Sequence, residues 1–229
     1  MTIQEILYDA ANTLKTYNIA NPNLDSEILL SKVLKKDRKY IILNLEKKLK
    51  DKYLDKFKAL VDRRKKGEPI AYLTNQKDFW KETFYVNKNV LIPRPDTELI
   101  IEQTFKIYPK KKQIQVLDIG TGSGCIILSL LKERPNFYGT GIDISKKSLK
   151  VSIFNARLLK LSNRIKFYNS DVDNFNVGKY DLIVSNPPYI KKNTLRYLKK
   201  DVVRFEPNLA LNGGFDGFLK TKKVIKKAF

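Results

Sequence analysis

Histidine is absent from this chain of 229 residues. That removes every Ser-His and Cys-His nucleophile scheme and would leave any metal to carboxylates alone, so no metal site is expected. The single cysteine, Cys125, excludes an internal disulfide framework and suits a reducing compartment. No apolar run approaches the roughly 18 residues that a membrane-spanning helix needs. The opening MTIQEILYDA has neither the basic n-region nor the apolar h-region of a secretory signal. These absences place the chain in the cytoplasm with no membrane partner, and it is read as a monomer. Acidic residues are scarce too: 24 Asp and Glu against 45 Lys and Arg leave a formal charge of +21. The lysines are spread over nearly every polar face instead of forming one stripe, which reads as general lysine enrichment. Direct nucleic-acid binding is compatible with this charge but not required by it.

What is present changes character along the chain. Residues 1–66 carry apolar positions at helical spacing: Ile3, Ile6, Leu7, Ala10, Leu14 and Tyr17, then Leu24, Ile28, Leu29, Val33 and Leu34. Asn21 before Pro22 predicts the start of a second helix, and Asp37 caps a third. A fourth ends in Arg63-Arg64-Lys65-Lys66, where cations complement the helix dipole, with Gly67 beyond it. Residues 67–95 switch to aromatic and β-branched side chains. A hairpin is expected from Phe79, Trp80, Phe84, Tyr85, Val86, Val90, Leu91 and Ile92, turning at Asn87-Lys88-Asn89. Pro93 and Pro95 stop it, and Asp96 or Thr97 caps a helix reaching Tyr108. From residue 113 strands and helices alternate, with strands at 114–118, 137–142, 164–168 and 180–184. Such alternation predicts a parallel sheet with right-handed crossovers.

Two motifs sit at strand ends. Asp118-Ile119-Gly120-Thr121-Gly122-Ser123-Gly124 joins the first of these strands to a helix. Its glycines allow a sharp turn and let a ligand approach the main chain. Asp118 would repel a pyrophosphate but not a cationic sulfonium or an α-amino group. Asp143 ends the second strand, where an acid reaches the ribose hydroxyls of an adenosine. Together they favour S-adenosylmethionine over a dinucleotide, with Asp118, Gly120, Thr121, Gly122, Ser123, Gly124 and Asp143 as cofactor contacts. The second motif, Ser185-Asn186-Pro187-Pro188-Tyr189, follows the fourth strand. Asn186 and the Pro187 carbonyl can accept both hydrogens of one NH2 group, and Tyr189 offers a face to a flat amide or base. Asn186, Pro187 and Tyr189 are therefore the candidate catalytic residues. Asn186, Pro187, Pro188 and Tyr189 are the substrate contacts, with Asn186 also touching the cofactor. An amide nitrogen and the exocyclic amine of adenine both satisfy this motif.

Three further stretches carry a resemblance. Gly67-Glu68-Pro69-Ile70-Ala71-Tyr72 with Phe79-Trp80, Leu91-Ile92-Pro93-Arg94-Pro95-Asp96-Thr97-Glu98, and Arg204-Phe205-Glu206-Pro207 with Gly213-Gly214-Phe215-Asp216-Gly217 resemble segments of the peptide chain release factor glutamine methyltransferases, the HemK/PrmC family. The resemblance implies a Rossmann-like class I S-adenosylmethionine-dependent methyltransferase domain, an α/β fold, at residues 96–229. Before it come a release-factor-binding helical bundle at 1–66 and an interdomain segment with a β-hairpin at 67–95. It implies as substrate the glutamine of the release factors' Gly-Gly-Gln loop, and as further cofactor contacts Asp171 and Val172. Family members often carry an aromatic residue where Val172 stands, so adenine packing is expected to be weaker or to come from Phe175. The sheet is expected to be incomplete, with the chain stopping at Phe229 inside a helix and the fourth strand left as an edge. Trp80 is expected to pack at the domain interface, and Arg94 either to orient an acid in the interdomain joint or to touch substrate. Lys110-Lys111-Lys112 is read as a solvated loop. An adenine-amino methyltransferase and a non-catalytic binding relic are the rival readings.

Overall fold

In the computed structural model, which describes residues 1–108 and 112–228, the chain divides into a helical unit, Met1–Asn75, and an α/β unit, Gln76–Phe229. Lys110, Lys111 and Phe229, on which two of the expectations above fall, lie outside the described residues.

The helical unit contains α1 (Ile3–Thr16), α2 (Pro22–Leu34), α3 (Arg38–Leu43), α4 (Asp51–Lys65) and α5 (Ile70–Thr74). Thr2 and Glu5 form a capping box at the start of α1, with hydrogen bonds of 3.2 and 2.8 Å. Asp37 caps α3 by accepting the Tyr40 amide at 2.8 Å. Asn21 makes no side-chain cap, and α2 starts on the fixed φ of Pro22 instead. The apolar stripe of α1 (Ile3, Ile6, Ala10, Leu14) meets Leu29, Leu30, Ile41, Phe57 and Val61 in one core. Burial of each large side chain contributes about 1.5–3 kcal/mol. Leu73 and Ile70 of α5 pack into the same core. The boundary expected at 66 therefore moves to Asn75, because these two side chains bind 70–74 to the helices before it.

In the α/β unit a hairpin of β1 (Gln76–Phe79) and β2 (Glu82–Tyr85) comes first. Its turn is at Trp80-Lys81, not at Asn87–Asn89 as expected, with Trp80 at φ 56°. Residues 87–90 do form a turn, but no strand follows it: the Ile92 amide goes to Glu206 at 3.3 Å and Pro93 has no donor. Trp80 itself packs inside this unit, its indole nitrogen donating to Glu133 at 3.0 Å and its ring edge-on to Phe105.

A 3-10 turn at Pro95–Thr97 leads into α6 (Glu98–Ile107). Then follow β3 (Ile114–Ile119), α7 (Cys125–Glu133), β4 (Phe137–Asp143), α8 (Lys146–Leu158), β5 (Ile165–Asn169) and β6 (Leu182–Ser185), and last α9 (Lys200–Phe205) and α10 (Leu219–Ala228). The sheet is parallel throughout, in the order β5-β4-β3-β6. Alternate residues of β3 serve opposite cores: Ile114 and Val116 pack with α7, whereas Leu117 and Ile119 pack with Ile142 and Phe175. Strand order reverses between β4 and β6, on either side of β3. This is a topological switch point, where a crevice opens at the carboxyl ends of the strands. Register aligns those ends, with Asp118 opposite Gly141 and Ile119 opposite both Ile142 and Ser185. Among the described residues, β6 pairs with β3 alone.

Candidate functional site

A cavity of about 210 Å³ occupies the crevice. The turn after β3 forms its floor. The amides of Gly120 and Thr121 both donate to the Ile142 carbonyl at 2.9 Å, folding the turn back onto β4. Gly120 sits at φ +75°, and a Cβ built on it would meet nothing within 4 Å, so its missing side chain is open space on the cavity wall. Gly122, at φ +57°, donates its amide to Asp143 Oδ2 at 3.0 Å. Gly124 serves packing instead. Its Cβ would lie 2.9 Å from Leu128 Cδ1, and it is not on the cavity wall.

Asp143 holds its position through two amides, Gly122 on Oδ2 and Ser145 on Oδ1 at 2.8 Å. Each oxygen keeps acceptor capacity for a hydroxyl. Burial raises its carboxyl above the ordinary range, and these two amides pull the other way. Asp118 was expected to touch the cofactor, but it is 1% exposed and lies behind the wall. Thr121, which does line the cavity, donates its hydroxyl to Asp118 Oδ2 at 2.8 Å, and Oδ1 has no partner. Burial pushes the Asp118 carboxyl up to about 7, against the pull of the Thr121 hydroxyl. Asp118 therefore acts on the cavity through Thr121.

Ser123, Asp171 and Val172 line the cavity. Phe175 does not. It is 3% exposed and packs between Tyr168 and Tyr180 beneath the sheet, which takes it out of the adenine role suggested for it. An apolar side chain missed in the sequence, Ile144, stands on the wall directly after Asp143 and is half exposed. Its place one residue beyond the strand-end acid was the available signal. Asn155 was also missed. Fully buried, it binds the Tyr85 amide and carbonyl at 2.8 and 2.9 Å and the Ser123 carbonyl at 2.8 Å, tying the glycine turn to the hairpin.

The loop after β6 closes the other side. Ser185 donates to the Ile119 carbonyl at 2.7 Å, and Asn186, Pro187 and Pro188 line the cavity. Asn186 donates its side-chain amide to Thr97 Oγ1 at 3.0 Å. Tyr189 is not on the wall; next to Pro188, the residue is 66% exposed at the rim. Behind the loop, Ile190 and Asn212 form a parallel bridge, and a Cβ at Gly213 would lie 2.8 Å from the Pro188 carbonyl. Arg94 forms a 2.5 Å ion pair with Glu206, whose side chain is 2% exposed. Arg94 thus orients an acid of its own unit, and it also lines the cavity. Cys125 is buried and its thiol is pushed up to about 12 by desolvation, so it packs and does not react.

The strand order, the glycine turn after β3 and the acid ending β4 define a class I S-adenosylmethionine-dependent methyltransferase domain. Residues 5–74 match the PrmC N-terminal domain and residues 96–206 the methyltransferase small domain. The release factor glutamine methyltransferase of Buchnera aphidicola subsp. Baizongia pistaciae is 41% identical over 99% of this chain and 80% of its own length. That of Caulobacter vibrioides is 36% identical over 98% and 78%. The chain belongs to the release factor glutamine methyltransferase family. It spans only about half of a second kind of relative, such as the bifunctional methyltransferase of Rickettsia conorii, 36% identical over 94% of this chain and 46% of that protein. Among solved structures, the hMettl16 catalytic domain in complex with MAT2A 3'UTR hairpin 6 shares the fold with a TM-score of 0.52 and 17% identity, over 63% of this chain and 55% of that one.

The family implies S-adenosylmethionine as cofactor, and the residues fit it. The missing side chain of Gly120 leaves room against the main chain, Asp143 retains acceptors at the end of β4, and Ile144 and Val172 supply apolar surface for a flat ring.

Proposed function

We propose that this chain transfers a methyl group from S-adenosylmethionine to the side-chain amide nitrogen of the glutamine in the Gly-Gly-Gln motif of peptide chain release factors, and so modulates translation termination. One observation carries the reading: Asn186 and Pro187 stand on the wall of the same cavity as Gly120 and Asp143. The cofactor, when bound, supplies an electrophilic methyl.

The chain's own residues do the rest. Asn186 Oδ1 and the Pro187 carbonyl accept the two hydrogens of one NH2 group, which fixes the nitrogen and enriches its lone pair. The nitrogen–methyl bond would form as the cofactor's methyl–sulfur bond breaks, the sulfur leaving as the neutral thioether. The nitrogen, acidified by methylation, would pass one proton to water, so no strong base is needed and the absence of histidine costs nothing. The rate gain comes from alignment and from hydrogen bonds that strengthen in the transition state. Asp143 takes the ribose, Gly120 to Ser123 bound the cofactor along the turn, and Asp171 and Val172 border the adenine. Asp118 steadies Thr121, and Tyr189 meets the incoming peptide from the rim with Pro188 beneath it. The helical unit, which matches the PrmC N-terminal domain, recognises the release factor. The chain works in the cytoplasm as a monomer; no described helix is long and apolar enough to cross a membrane. Family membership disfavours the adenine-amino alternative.

The test is mass spectrometry of the Gly-Gly-Gln peptide from unmethylated release factor after incubation with this chain and S-adenosylmethionine. Gain of one CH2 on the glutamine supports the reading. An unmodified glutamine beside methylated adenine in a nucleic-acid challenge overturns it.

A further inference from the structure

Asn186 has an amide with two unlike ends, and the proposed chemistry uses only its oxygen. A side-chain amide turned the other way would present two N–H donors to a substrate that itself brings two N–H donors, and the pair would repel. Some group must therefore hold the nitrogen end. In this structure that group is Thr97, 89 positions earlier in the chain, whose Oγ1 accepts Asn186 Nδ2 at 3.0 Å. Thr97 is 8% exposed, so water competes poorly for the bond.

Thr97 is itself held. Its amide donates to the Arg94 carbonyl at 3.1 Å. The Arg94 guanidinium is paired at 2.5 Å with Glu206, and the other Glu206 oxygen accepts the Ile92 amide at 3.3 Å. One buried carboxylate thus clamps residues 92–94 from a position 112 residues away, and the 3-10 turn beginning at Pro95 carries that rigidity to Thr97. A residue locked by surrounding hydrogen bonds holds a functional group to a tighter geometry than a loop alone does.

Resting on the function proposed above, we infer that Thr97 is the positioning residue for the acceptor nitrogen: standing on the same cavity wall as Asn186, it holds Asn186 Nδ2 and leaves Oδ1 to the acceptor, and Glu206 with Arg94 fixes Thr97. Its role explains why a threonine, not an alanine or valine, stands at the buried start of α6. There it makes no capping hydrogen bond to the helix.

Thr97→Val keeps the shape and removes the acceptor, whereas Thr97→Ser keeps the hydroxyl. With the Gly-Gly-Gln peptide as acceptor, Thr97→Val lowers kcat about tenfold or more with peptide KM and S-adenosylmethionine affinity nearly unchanged, and Thr97→Ser restores most of the loss. A second readout does not depend on turnover: the Asn186 side-chain NH2 protons exchange with solvent faster in Thr97→Val than in the parent chain. Wild-type kcat in Thr97→Val, or equal losses in the serine and valine variants, overturns the inference. If the parent chain leaves the peptide unmethylated, the functional reading fails, and unchanged Asn186 exchange in Thr97→Val then removes the positioning role as well.

Discussion

The carboxylate of Asp143 accepts the backbone amide of Gly122 at 3.0 Å, which makes the end of β4 and the turn after β3 a single hydrogen-bonded piece. The acid that would take a ribose therefore also shapes the glycine turn that would lie along the rest of the nucleoside. Cofactor affinity and the conformation of the turn are coupled for that reason.

Glycine substitutions separate the two uses of the turn. Gly120→Ala places a methyl in open cavity space at φ +75°, costing about 1 kcal/mol of backbone strain and lowering S-adenosylmethionine affinity at least tenfold. Gly124→Ala drives a methyl to 2.9 Å from Leu128 and 3.2 Å from Ser152, so it lowers stability by about 2 kcal/mol or more. Calorimetric titration and urea unfolding of both variants check this. Unaltered affinity in Gly120→Ala would remove that glycine from the cofactor site.

Asn186→Ala lowers turnover roughly 100- to 1,000-fold while cofactor affinity stays within about twofold, because the oxygen it loses acts on the acceptor and in the transition state. Single-turnover kinetics with parallel binding titrations read both quantities. Equal loss in the two would assign Asn186 to cofactor binding instead.

Asp118 gives a pH dependence of defined sign. Its folded carboxyl is raised to about 7 by burial, so between about pH 4 and 7 the folded chain keeps a proton that the unfolded chain releases. Stability from this group is highest below that window, falls as pH rises through it, and levels off above about 7. Each pH unit is worth about 1.4 kcal/mol at most. Asp143, also raised, acts in the same direction. Asp118→Asn removes the larger part of the decline, so urea midpoints of the variant and the parent chain diverge progressively between pH 4.5 and 7.5. Parallel curves would show that Asp118 stays ionised in the fold.

In the helical unit, Arg64 pairs with Asp25 at 2.7 Å, with side chains 14% and 9% exposed. Arg64→Met strands a buried carboxylate and destabilises the unit by about 3–5 kcal/mol, whereas Arg64→Met with Asp25→Leu recovers much of the loss. Urea unfolding followed by helical circular dichroism distinguishes them. A single variant as stable as the parent would mean that Asp25 finds water or another partner.

Short-range signals in the sequence carried much of the architecture. The strands expected at 114–118 and 137–142, found at 114–119 and 137–143, and the helix between them follow from period and punctuation, which involve neighbours only. The hairpin turn did not follow. Asn87-Lys88-Asn89 has better turn chemistry than Trp80-Lys81, but the indole's bond to Glu133, 53 residues away, and its contact with Phe105 outweigh that preference. Phe175 was misplaced for a related reason. An aromatic near a strand-end acid can face a ligand or the core, and only packing with Tyr168 and Tyr180 decides.

By itself, the sequence determined the chemical parts and their order: a glycine turn between acids at two strand ends, an Asn-Pro-Pro-Tyr loop, and no histidine. Those are properties of composition and spacing, and they do not depend on how the chain closes. Only the tertiary structure decided which parts face the cavity. It withdrew Asp118 behind Thr121, sank Phe175 into the core, left Tyr189 at the rim, and brought Thr97 and Glu206 to the acceptor side from 89 and 112 residues away from their partners. Orientation of a side-chain amide and burial of a carboxylate are set by groups distant in sequence, and local pattern carries no information about them.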